Sequence, residues 1–498
     1  MRARRAAAIL VSVVFLGAAV GCGTTVPLAA QSAGPGNNGL SATQGGSAPL
    51  PAATGASTTG SSSGTLGSVS TGTVSAPGGA TGGSSIGPGQ SLGGSAAQSG
   101  VSPGGGSNKP LLVGVITSGN AAAFASSIGL NKNFGDQRLQ AQAVADYLNH
   151  RGGVLGHPLK LTFYDYNATA TGPANAATAC SAFTDDNHAF ATVGIAGMDD
   201  AFHACAYKHG MLVLSDGDLK SSRFFRKFPT TIEISDMALD RKYRGVVLAL
   251  KQEGFFTPGA KVGILSTDDP NDIDGVQKGM KPALASIGIT NTTDITVSAG
   301  DSSQQASGTQ SAVLKFRAAG VTHILFGRAS AFIFAEDAQS QSYFPKMGVD
   351  SRQSPALLMQ GADSPQQLVN TMGIGYQPVQ DVDAAHDPGP VSSNQVLCKK
   401  IYDEAGQGWG SNRLSMASAL YLCEQLLYLH DALQGQPATS TANFLNGVAA
   451  LGNTFKSTLT FATRFSAQQH DGAQAYRPLR YDTGCSCFKY SGPIRPFP

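Results

Sequence analysis

The stretch YLNHRGGVLGHP, residues 147–158, decides how the folded part of this chain is built. Before it, apolar side chains recur at helical spacing over residues 134–149. The glycine pair within it suits the end of that helix, because glycine readily adopts the left-handed conformation found at many helix ends. After it, apolar and polar residues alternate over residues 158–165, which predicts a strand. The stretch therefore joins a helix to a strand through a short turn.

The alternation of strand and helix continues on both sides of this turn. A continuous apolar run over residues 111–116 predicts a buried parallel strand before the first helix. Such alternation favours parallel sheets with helices on both faces. Residues 109–498 are too many for one core and favour two lobes. The other predicted elements are a helix at 173–183, strands at 190–195, 211–215 and 261–266, a helix at 275–287, a strand at 294–297, a helix at 311–319, a strand at 322–326, a helix at 331–342, a long helix through 416–427 and closing strands over 476–490.

This opening resembles that of the type I periplasmic binding proteins, in particular the leucine/isoleucine/valine-type substrate-binding proteins of ABC importers. In that family a turn of the form N-x-x-GG-hydrophobic-x-G joins the first helix to a strand that ends in an acidic residue. Here the turn begins at Asn149 and the strand ends at Asp165. The resemblance covers residues 109–490. It implies an α/β fold of two doubly wound parallel-sheet lobes joined by a hinge, with the ligand in the cleft between them.

The resemblance also implies three crossings between the lobes. We expect them near residues 228–235, near residues 374–382 and within the closing strands. The expected lobe 1 then covers about 109–232 plus 376–475, and lobe 2 covers about 233–375 plus the C-terminal strands. Hinge closure around the ligand is the expected motion.

Residues that contact the ligand are expected in the loops at the carboxyl ends of the strands, because open parallel sheets bind ligands there. For each single residue, helix capping or ordinary solvation is an equally good interpretation. The candidates are Ser118, Gly119, Gly197, Met198, Asp199, Ser215 and Asp216 in the first lobe, and Asp268, Arg328 and Asp350 in the second.

Two of these loops depart from the pattern of leucine binders. Binders of amino acids in the family usually place serine or threonine after the third strand to take the ligand carboxylate, whereas residues 197–200 read GMDD. An aromatic wall usually follows the first strand of the second lobe, and residues 268–275 contain no aromatic residue. A small polar solute, amino-acid-like or amide-like, fits these loops better than leucine. Such a solute would carry a cationic or an amide group.

The N-terminus predicts export and a lipid anchor. Arginines among the first five residues precede an apolar run over residues 6–20, which suits a signal peptide and is short for a membrane span. Residues 19–22, AVGC, resemble the lipobox of bacterial lipoproteins, which implies cleavage before Cys22 and acylation of that residue. Residues 1–22 are then the signal peptide, and the mature protein is held on the outer face of the cytoplasmic membrane. An ordinary signal peptide is the alternative.

Residues 23–108 predict a disordered tether. They are rich in Gly, Ser, Thr and Pro and contain no charged and no aromatic residue. Such a segment cannot bury enough apolar surface to offset the entropy of ordering. As a glycine-rich coil it would reach on the order of 50 Å.

The remaining cysteines predict three disulfides, because an even number in an exported chain is typical of a disulfide framework. Cys180 with Cys205 is the favoured pair, since they flank one short predicted strand. The partners of the others stay open. Either the chain turns sharply between Cys485 and Cys487, or each of these pairs with Cys398 or Cys423.

Other classes of protein find little support in the sequence. The net charge is +2 and no basic tract with interleaved aromatics suggests nucleic acid. No nucleophile elbow, zinc-protease helix or phosphate loop is present, which disfavours an enzyme and a cofactor. Residues 268–275 fail as a calcium loop, and His203 and His209 do not share a helix face for a metal. A monomeric receptor that delivers a solute to an ABC permease is the favoured function, with a lipid-anchored sensor as the alternative.

Overall fold

The computed structural model describes residues 109–118, 135–166, 173–194, 199–299, 302–361, 365–409 and 413–498. Cys22, the predicted tether over residues 23–108 and the candidate residues Gly119, Gly197 and Met198 lie outside these ranges. Among the described helices, none combines the length and the apolar character needed to cross a membrane.

The described strands form two sheets. The first is a parallel five-stranded sheet in the order β2-β1-β3-β4-β5. The second has the order β12-β11-β10-β9-β8-β6-β7, with β13 paired to β11, and β6 to β10 run parallel. The strands are β1 Leu111–Thr117, β2 Leu159–Asp165, β3 Ala191–Gly194, β4 Leu212–Ser215, β5 Thr231–Glu233, β6 Val262–Thr267, β7 Thr292–Val297, β8 His323–Phe326, β9 Lys346–Asp350, β10 Met372–Gly375, β11 Ala475–Asp482, β12 Cys487–Tyr490 and β13 Arg495–Pro496.

Helices connect the parallel strands and cover both sheets. Short 3₁₀ turns follow β9 at Ser351–Gln353 and lie further along at Ala384–His386, and a π turn joins α6 to α7 at Val276–Met280. The helices are α1 Gln137–Asn149, α2 Pro173–Ser181, α3 Asp200–Lys208, α4 Ser222–Lys227, α5 Leu239–Gln252, α6 Pro270–Gly275, α7 Lys281–Ser286, α8 Ser302–Ala318, α9 Ala331–Ser340, α10 Pro355–Gly361, α11 Pro365–Leu368, α12 Pro378–Asp381, α13 Ser393–Glu404, α14 Arg413–Leu433 and α15 Thr441–Leu451.

The glycine turn at residues 152–153 has the predicted role. Helix α1 ends at Asn149, and Gly152 and Gly153 follow with φ angles of 98° and 68°. A Cβ on Gly153 would overlap the His157 carbonyl oxygen. Gly153 therefore allows the chain to fold back on itself and enter β2.

One helix begins earlier than the sequence pattern predicts. We expected it from residue 275, whereas α6 begins at Pro270. The side chain of Asp269 accepts hydrogen bonds from the backbone N–H groups of Asn271 and Asp272, and proline occupies the first turn. An acidic cap followed by proline is a strong helix start, and it precedes the apolar residues from which the prediction was made.

Each sheet has its own core, which defines two lobes. The first lobe is the first sheet with the helices packed on it, and its core includes Val144 of α1, Leu212 of β4, Leu420 of α14 and Phe444 of α15. The second lobe is the second sheet with its helices, and apolar clusters lie on both of its faces. Parallel strands buried on both faces require helices on both sides.

The chain passes between the two lobes three times. The first passage separates Ile234 in the core of the first lobe from Met237 in the second. The second separates Tyr376 from Val379. The third follows Phe465 and ends before β11. This last passage precedes the closing strands, where we expected it within them, because β11 pairs along its length with β10 and β12 of the second sheet.

Three disulfides are present among the described cysteines. Cys180 bonds to Cys205, the favoured pair, and joins α2 to α3. The pairings left open are Cys398 with Cys423, which joins α13 to α14, and Cys485 with Cys487. The last pair lies at the turn between β11 and β12, where Ser486 has a φ of 51°. Of the two alternatives, the sharp turn between Cys485 and Cys487 is present, and neither of them pairs with Cys398 or Cys423.

Candidate functional site

The carboxyl ends of the two parallel sheets meet in a buried polar network. Tyr376, which follows β10, donates its hydroxyl to Asp236 Oδ1 at 2.7 Å. Gln377 Nε2 donates to the Ser235 carbonyl oxygen at 2.9 Å. Since Ser235 and Asp236 follow β5, these bonds link the ends of the two sheets. We call the following residues the interlobe network: Ser215, Asp216, Gly217, Asp218, Glu233, Ser235, Asp236, Lys242, Asp350, Ser351, Arg352, Tyr376, Gln377, Gln380, Asp381, Tyr421, Glu424 and Gln425.

Arg352 spans the space between the lobes. It follows β9, and 5 % of its side chain is exposed. Its guanidinium donates to the Gly217 carbonyl oxygen at 3.3 Å and to the Tyr421 hydroxyl at 3.2 Å. Its Nε lies 3.4 Å from Asp236 Oδ2. One side chain of the second lobe thus contacts the loop after β4, the first passage and helix α14.

The loop after β4 folds around the buried carboxylate of Glu233. The backbone N–H groups of Gly217 and Asp218 both donate to this carboxylate, the second at 2.9 Å. Gly217 has a φ of 90°, and a Cβ there would overlap the guanidinium of Arg352. Asp218 Oδ2 lies 3.0 Å from His203 Nε2, with both side chains buried. Glycine at position 217 therefore allows both the turn and the approach of Arg352.

Asp216 fastens helix α14 to the edge of the first sheet. It accepts hydrogen bonds from the backbone N–H and the hydroxyl of Ser235, at 2.8 and 2.6 Å. Gln425 Nε2 donates to Asp216 at 3.1 Å. The Gln425 side chain also accepts from the Gly194 N–H at 2.6 Å. Polar groups therefore join the ends of β3 and β4 to helix α14, in addition to the apolar packing of these elements in the core of the first lobe.

Buried carboxyl groups outnumber permanent cations in the interlobe network. Burial, and then the charges of Asp236 and Asp218, raise the pKa of Glu233 to about 8. Burial also raises the pKa of Asp381 and that of Glu424 to about 7. The site therefore holds protons near neutral pH. Its carboxyl groups are Asp216, Asp218, Glu233, Asp236, Asp350, Asp381 and Glu424, and its permanent cations are Lys242 and Arg352.

We expect Glu233→Gln to remove part of the pH dependence of stability. With a pKa of about 8 in the folded state and about 4.3 when unfolded, Glu233 binds more protons folded than unfolded between these values. Its contribution to the free energy of unfolding is therefore complete below about pH 4 and is lost as the pH rises to 8. Urea unfolding at pH 5 and pH 8 measures this. The free energy of unfolding of the variant, relative to that of the wild type, should be higher at pH 8 than at pH 5.

A matched control for this measurement is Glu404→Gln, since Glu404 is 63 % exposed in an ion pair on helix α13. It should leave the difference between pH 5 and pH 8 unchanged. An equal pH dependence in the wild type and Glu233→Gln would contradict the assignment of a raised pKa to Glu233.

The candidate residues of the first lobe fall into two groups. Ser215 and Asp216 belong to the interlobe network, and the Ser215 hydroxyl donates to Glu233 at 3.3 Å. Asp199 caps helix α3 by accepting from the Ala201 N–H at 2.8 Å. The Ser118 N–H donates to Gln137 Oε1 at 2.9 Å, at the start of α1. The structure therefore brings the loop after β4 into the network and gives Asp199 a capping role.

The candidate residues of the second lobe are also divided. The carboxylate of Asp350 accepts from the Arg352 N–H at 2.7 Å and so starts the turn that carries Arg352. Arg328 forms an ion pair of 2.7 Å with Asp269 of its own lobe. Asp268 is exposed and accepts from the Ala299 N–H at 2.7 Å. Asp350 thus supports the network, whereas Arg328 and Asp268 stabilise loops of the second lobe.

Several network residues were missed by reasoning from the sequence. Arg352 lies two positions beyond the candidate Asp350. Its position next to that predicted loop could have indicated that it belongs to the site. Tyr421 lies on α14, one position from the core residue Leu420, and helical periodicity does not distinguish a buried hydroxyl from a core ring. Glu233 lies on a strand and Tyr376 directly after one, and both strands are too short for a periodic pattern to predict them from the sequence.

Two α/β sheets with their carboxyl ends facing a shared polar network, joined by three chain passages, constitute the fold of type I periplasmic binding proteins. Solved structures of that class superpose on this chain. A possible leucine/isoleucine/valine-binding protein from Rhodopirellula baltica is 14 % identical, with a TM-score of 0.56, and the match covers 77 % of this chain and 96 % of that one.

Two further solved structures show the same likeness. A fatty acid ABC transporter substrate-binding protein from Thermomonospora curvata is 16 % identical, with a TM-score of 0.54, covering 78 % of this chain and 92 % of that one. The branched-chain amino acid transporter substrate-binding protein LivJ from Streptococcus pneumoniae, in complex with isoleucine, is 17 % identical, with a TM-score of 0.52, covering 77 % and 100 %. No family model and no curated protein matches the chain.

Proposed function

We propose that this protein is a lipid-anchored solute-binding protein that captures a small polar solute between its lobes and delivers it to an ABC importer. The observation that carries the proposal is the interlobe network at the facing carboxyl ends of two parallel sheets, where ligands bind in open α/β folds. Two of the similar solved structures are described as substrate-binding proteins of transporters, and the third as a possible leucine/isoleucine/valine-binding protein. Binding without turnover is the corresponding activity.

The charges of the network favour a solute with a cationic or amide group. Buried carboxyl groups such as Asp216 and Glu233 can accept hydrogen bonds from an amide N–H, and an ammonium group beside them would favour their ionised form and form charge-assisted bonds. Arg352 offers a guanidinium that can receive a carboxylate. A solute with both groups, amino-acid-like or amide-like, would satisfy both ends.

The N-terminal segments support a membrane-held receptor. Acylation at Cys22 would supply two or three chains, which anchor stably where a single acyl chain does not. A tether over residues 23–108 would then keep the binding domain at a high effective concentration near its permease. We propose that the domain acts as a monomer on the outer face of the cytoplasmic membrane.

A thermal-shift screen tests the proposed function. The protein is heated with amino acids, amides, polyamines and small aromatic compounds, each in large excess. A solute at 100 times its Kd should stabilise the folded state by about 2.7 kcal/mol and raise Tm by several degrees. A response confined to apolar solutes, or turnover of the bound compound by the purified protein, would contradict the proposal.

The site and the role in transport need separate measurements on the solute that the screen identifies. The affinity for the solute, measured by calorimetry, should fall in Arg352→Lys, because lysine keeps the charge but lacks the planar guanidinium. It should be unchanged in Arg328→Lys, because the ion pair of Arg328 lies within the second lobe. Deletion of the protein should abolish uptake of the labelled solute. Unchanged uptake would overturn the importer role and favour a sensor.

A further inference from the structure

A histidine lies directly beside the disulfide at the turn between β11 and β12. His386, at the end of the 3₁₀ turn Ala384–His386, places its Nε2 3.6 Å from the Sγ atom of Cys487. The ligand atoms of His386, Cys485 and Cys487 all lie within 4.8 Å of one another. Cys487 is buried, whereas Cys485 and His386 are partly exposed. The cluster is therefore reachable from solvent on one side and protected on the other.

Asp383 orients the imidazole of His386 toward the sulfur atoms. Its Oδ1 lies 2.7 Å from Nδ1 of His386, and the same carboxylate accepts from the His386 backbone N–H at 3.0 Å. A proton on Nδ1 makes this bond, so the lone pair of Nε2 faces Cys487. A carboxylate behind a histidine is the support that histidine ligands of zinc usually have. The tautomer is thus the one that a metal ligand requires.

The distances suit a tetrahedral zinc ion once the two sulfur atoms separate. With Zn–S near 2.3 Å and Zn–N near 2.0–2.1 Å, a tetrahedral nitrogen and sulfur lie about 3.6 Å apart. The Nε2 atom of His386 and the Sγ atom of Cys487 already have this separation. The two sulfur atoms must move from bonding distance to about 3.8 Å, the separation of two sulfur ligands on a tetrahedral zinc ion.

We propose that reduction of the Cys485–Cys487 disulfide converts this turn into a zinc site with two thiolates and one imidazole. A dithiol reductant gives two electrons to the S–S bond, becomes a disulfide itself, and leaves both cysteines as thiols. Zn²⁺ then displaces one proton from each thiol and binds both sulfurs and Nε2 of His386. Water takes the fourth position. The disulfide form has no thiolate to offer, so metal binding depends on the redox state of the turn.

Cobalt binding by the full chain tests this proposal, because Co²⁺ replaces Zn²⁺ and reports thiolate ligation by a charge-transfer band. The protein is reduced with a phosphine, desalted without oxygen and titrated with Co²⁺. We expect one equivalent to bind with this band, to be displaced by Zn²⁺, and not to bind to the oxidised protein. Absence of the band after reduction, or its presence before, would overturn the proposal.

Variants separate this site from the other cysteines. The double variant Cys485→Ser/Cys487→Ser retains the other four described cysteines, whose thiols are also available to the metal after reduction. If the turn is the site, this variant should lose the charge-transfer band. Asp383→Asn should weaken binding by about 10–100-fold, and His386→Ala by at least as much. His386→Gln repeats the test with a larger side chain if His386→Ala does not fold. The same band in the double serine variant, or unchanged affinity in both histidine variants, would exclude the assigned ligands.

Discussion

Replacement of Arg352 by methionine is expected to lower the free energy of unfolding by about 3–5 kcal/mol, the cost of leaving a buried charge without its partner. Arg352 lies among buried carboxyl groups and contacts Asp236, Tyr421 and the Gly217 carbonyl oxygen. Methionine keeps most of the volume but removes the positive charge and the donors. Urea unfolding at pH 7 measures the loss.

Two further variants decide whether the missing charge is the cause. Arg138→Met is the matched control, because Arg138 pairs with Asp165 at the surface, where the side chains are 46 % and 50 % exposed. Its cost should stay within about 1 kcal/mol. Arg352→Met/Asp236→Asn removes both charges and should recover part of the lost stability. Equal losses for Arg352→Met and Arg138→Met would contradict the role of Arg352 in the network.

Gly447→Ala is expected to be the other severely destabilising change. Gly447 lies where α15 packs on α14, and a Cβ there would overlap the carbonyl oxygen of Ala432. The obstacle is backbone, so a side chain cannot rotate away and one helix must shift. Overpacking of this kind costs about 1–3 kcal/mol and sometimes more, and we expect at least the upper value here. The drop in Tm measures it.

Gly408→Ala is the matched control, because it also adds one methyl group at a glycine. A Cβ on Gly408 meets no heavy atom within 4 Å. Its effect on the free energy of unfolding should stay within about 0.5 kcal/mol. If both variants melt at the wild-type temperature, the close approach of α14 and α15 is not needed for stability.

The order of strands and helices in the first lobe was predictable from local signals. A continuous apolar run located β1, hydrophobic periodicity located α1 and β2, and the glycine pair after Asn149 located the turn between α1 and β2. Helix α8 shows where periodicity fails, since it begins at Ser302 whereas only residues 311–319 were predicted. Its first turns are Ser, Gln, Gly and Thr with little apolar surface, so packing and the helix that follows decide their conformation.

The candidate site was predictable in its location but less in its members. The rule that ligands bind at the carboxyl ends of parallel strands led to Asp216 and Asp350, which lie in the network. It led equally to Arg328, whose charge is neutralised by Asp269 in its own lobe. A sequence shows that an arginine follows a strand, but not whether its guanidinium turns toward the opposite lobe or back to a neighbouring loop.

The placement of the disulfides has a mechanical consequence. Cys180–Cys205 and Cys398–Cys423 each join two helices of the first lobe, and Cys485–Cys487 closes a turn of the second. Among the described cysteines, therefore, no covalent cross-link bridges the two lobes. An oxidising compartment would therefore stabilise contacts within the lobes and add no covalent constraint on the angle between them. The relative position of the lobes is then determined by the three backbone passages and by the noncovalent contacts of the interlobe network.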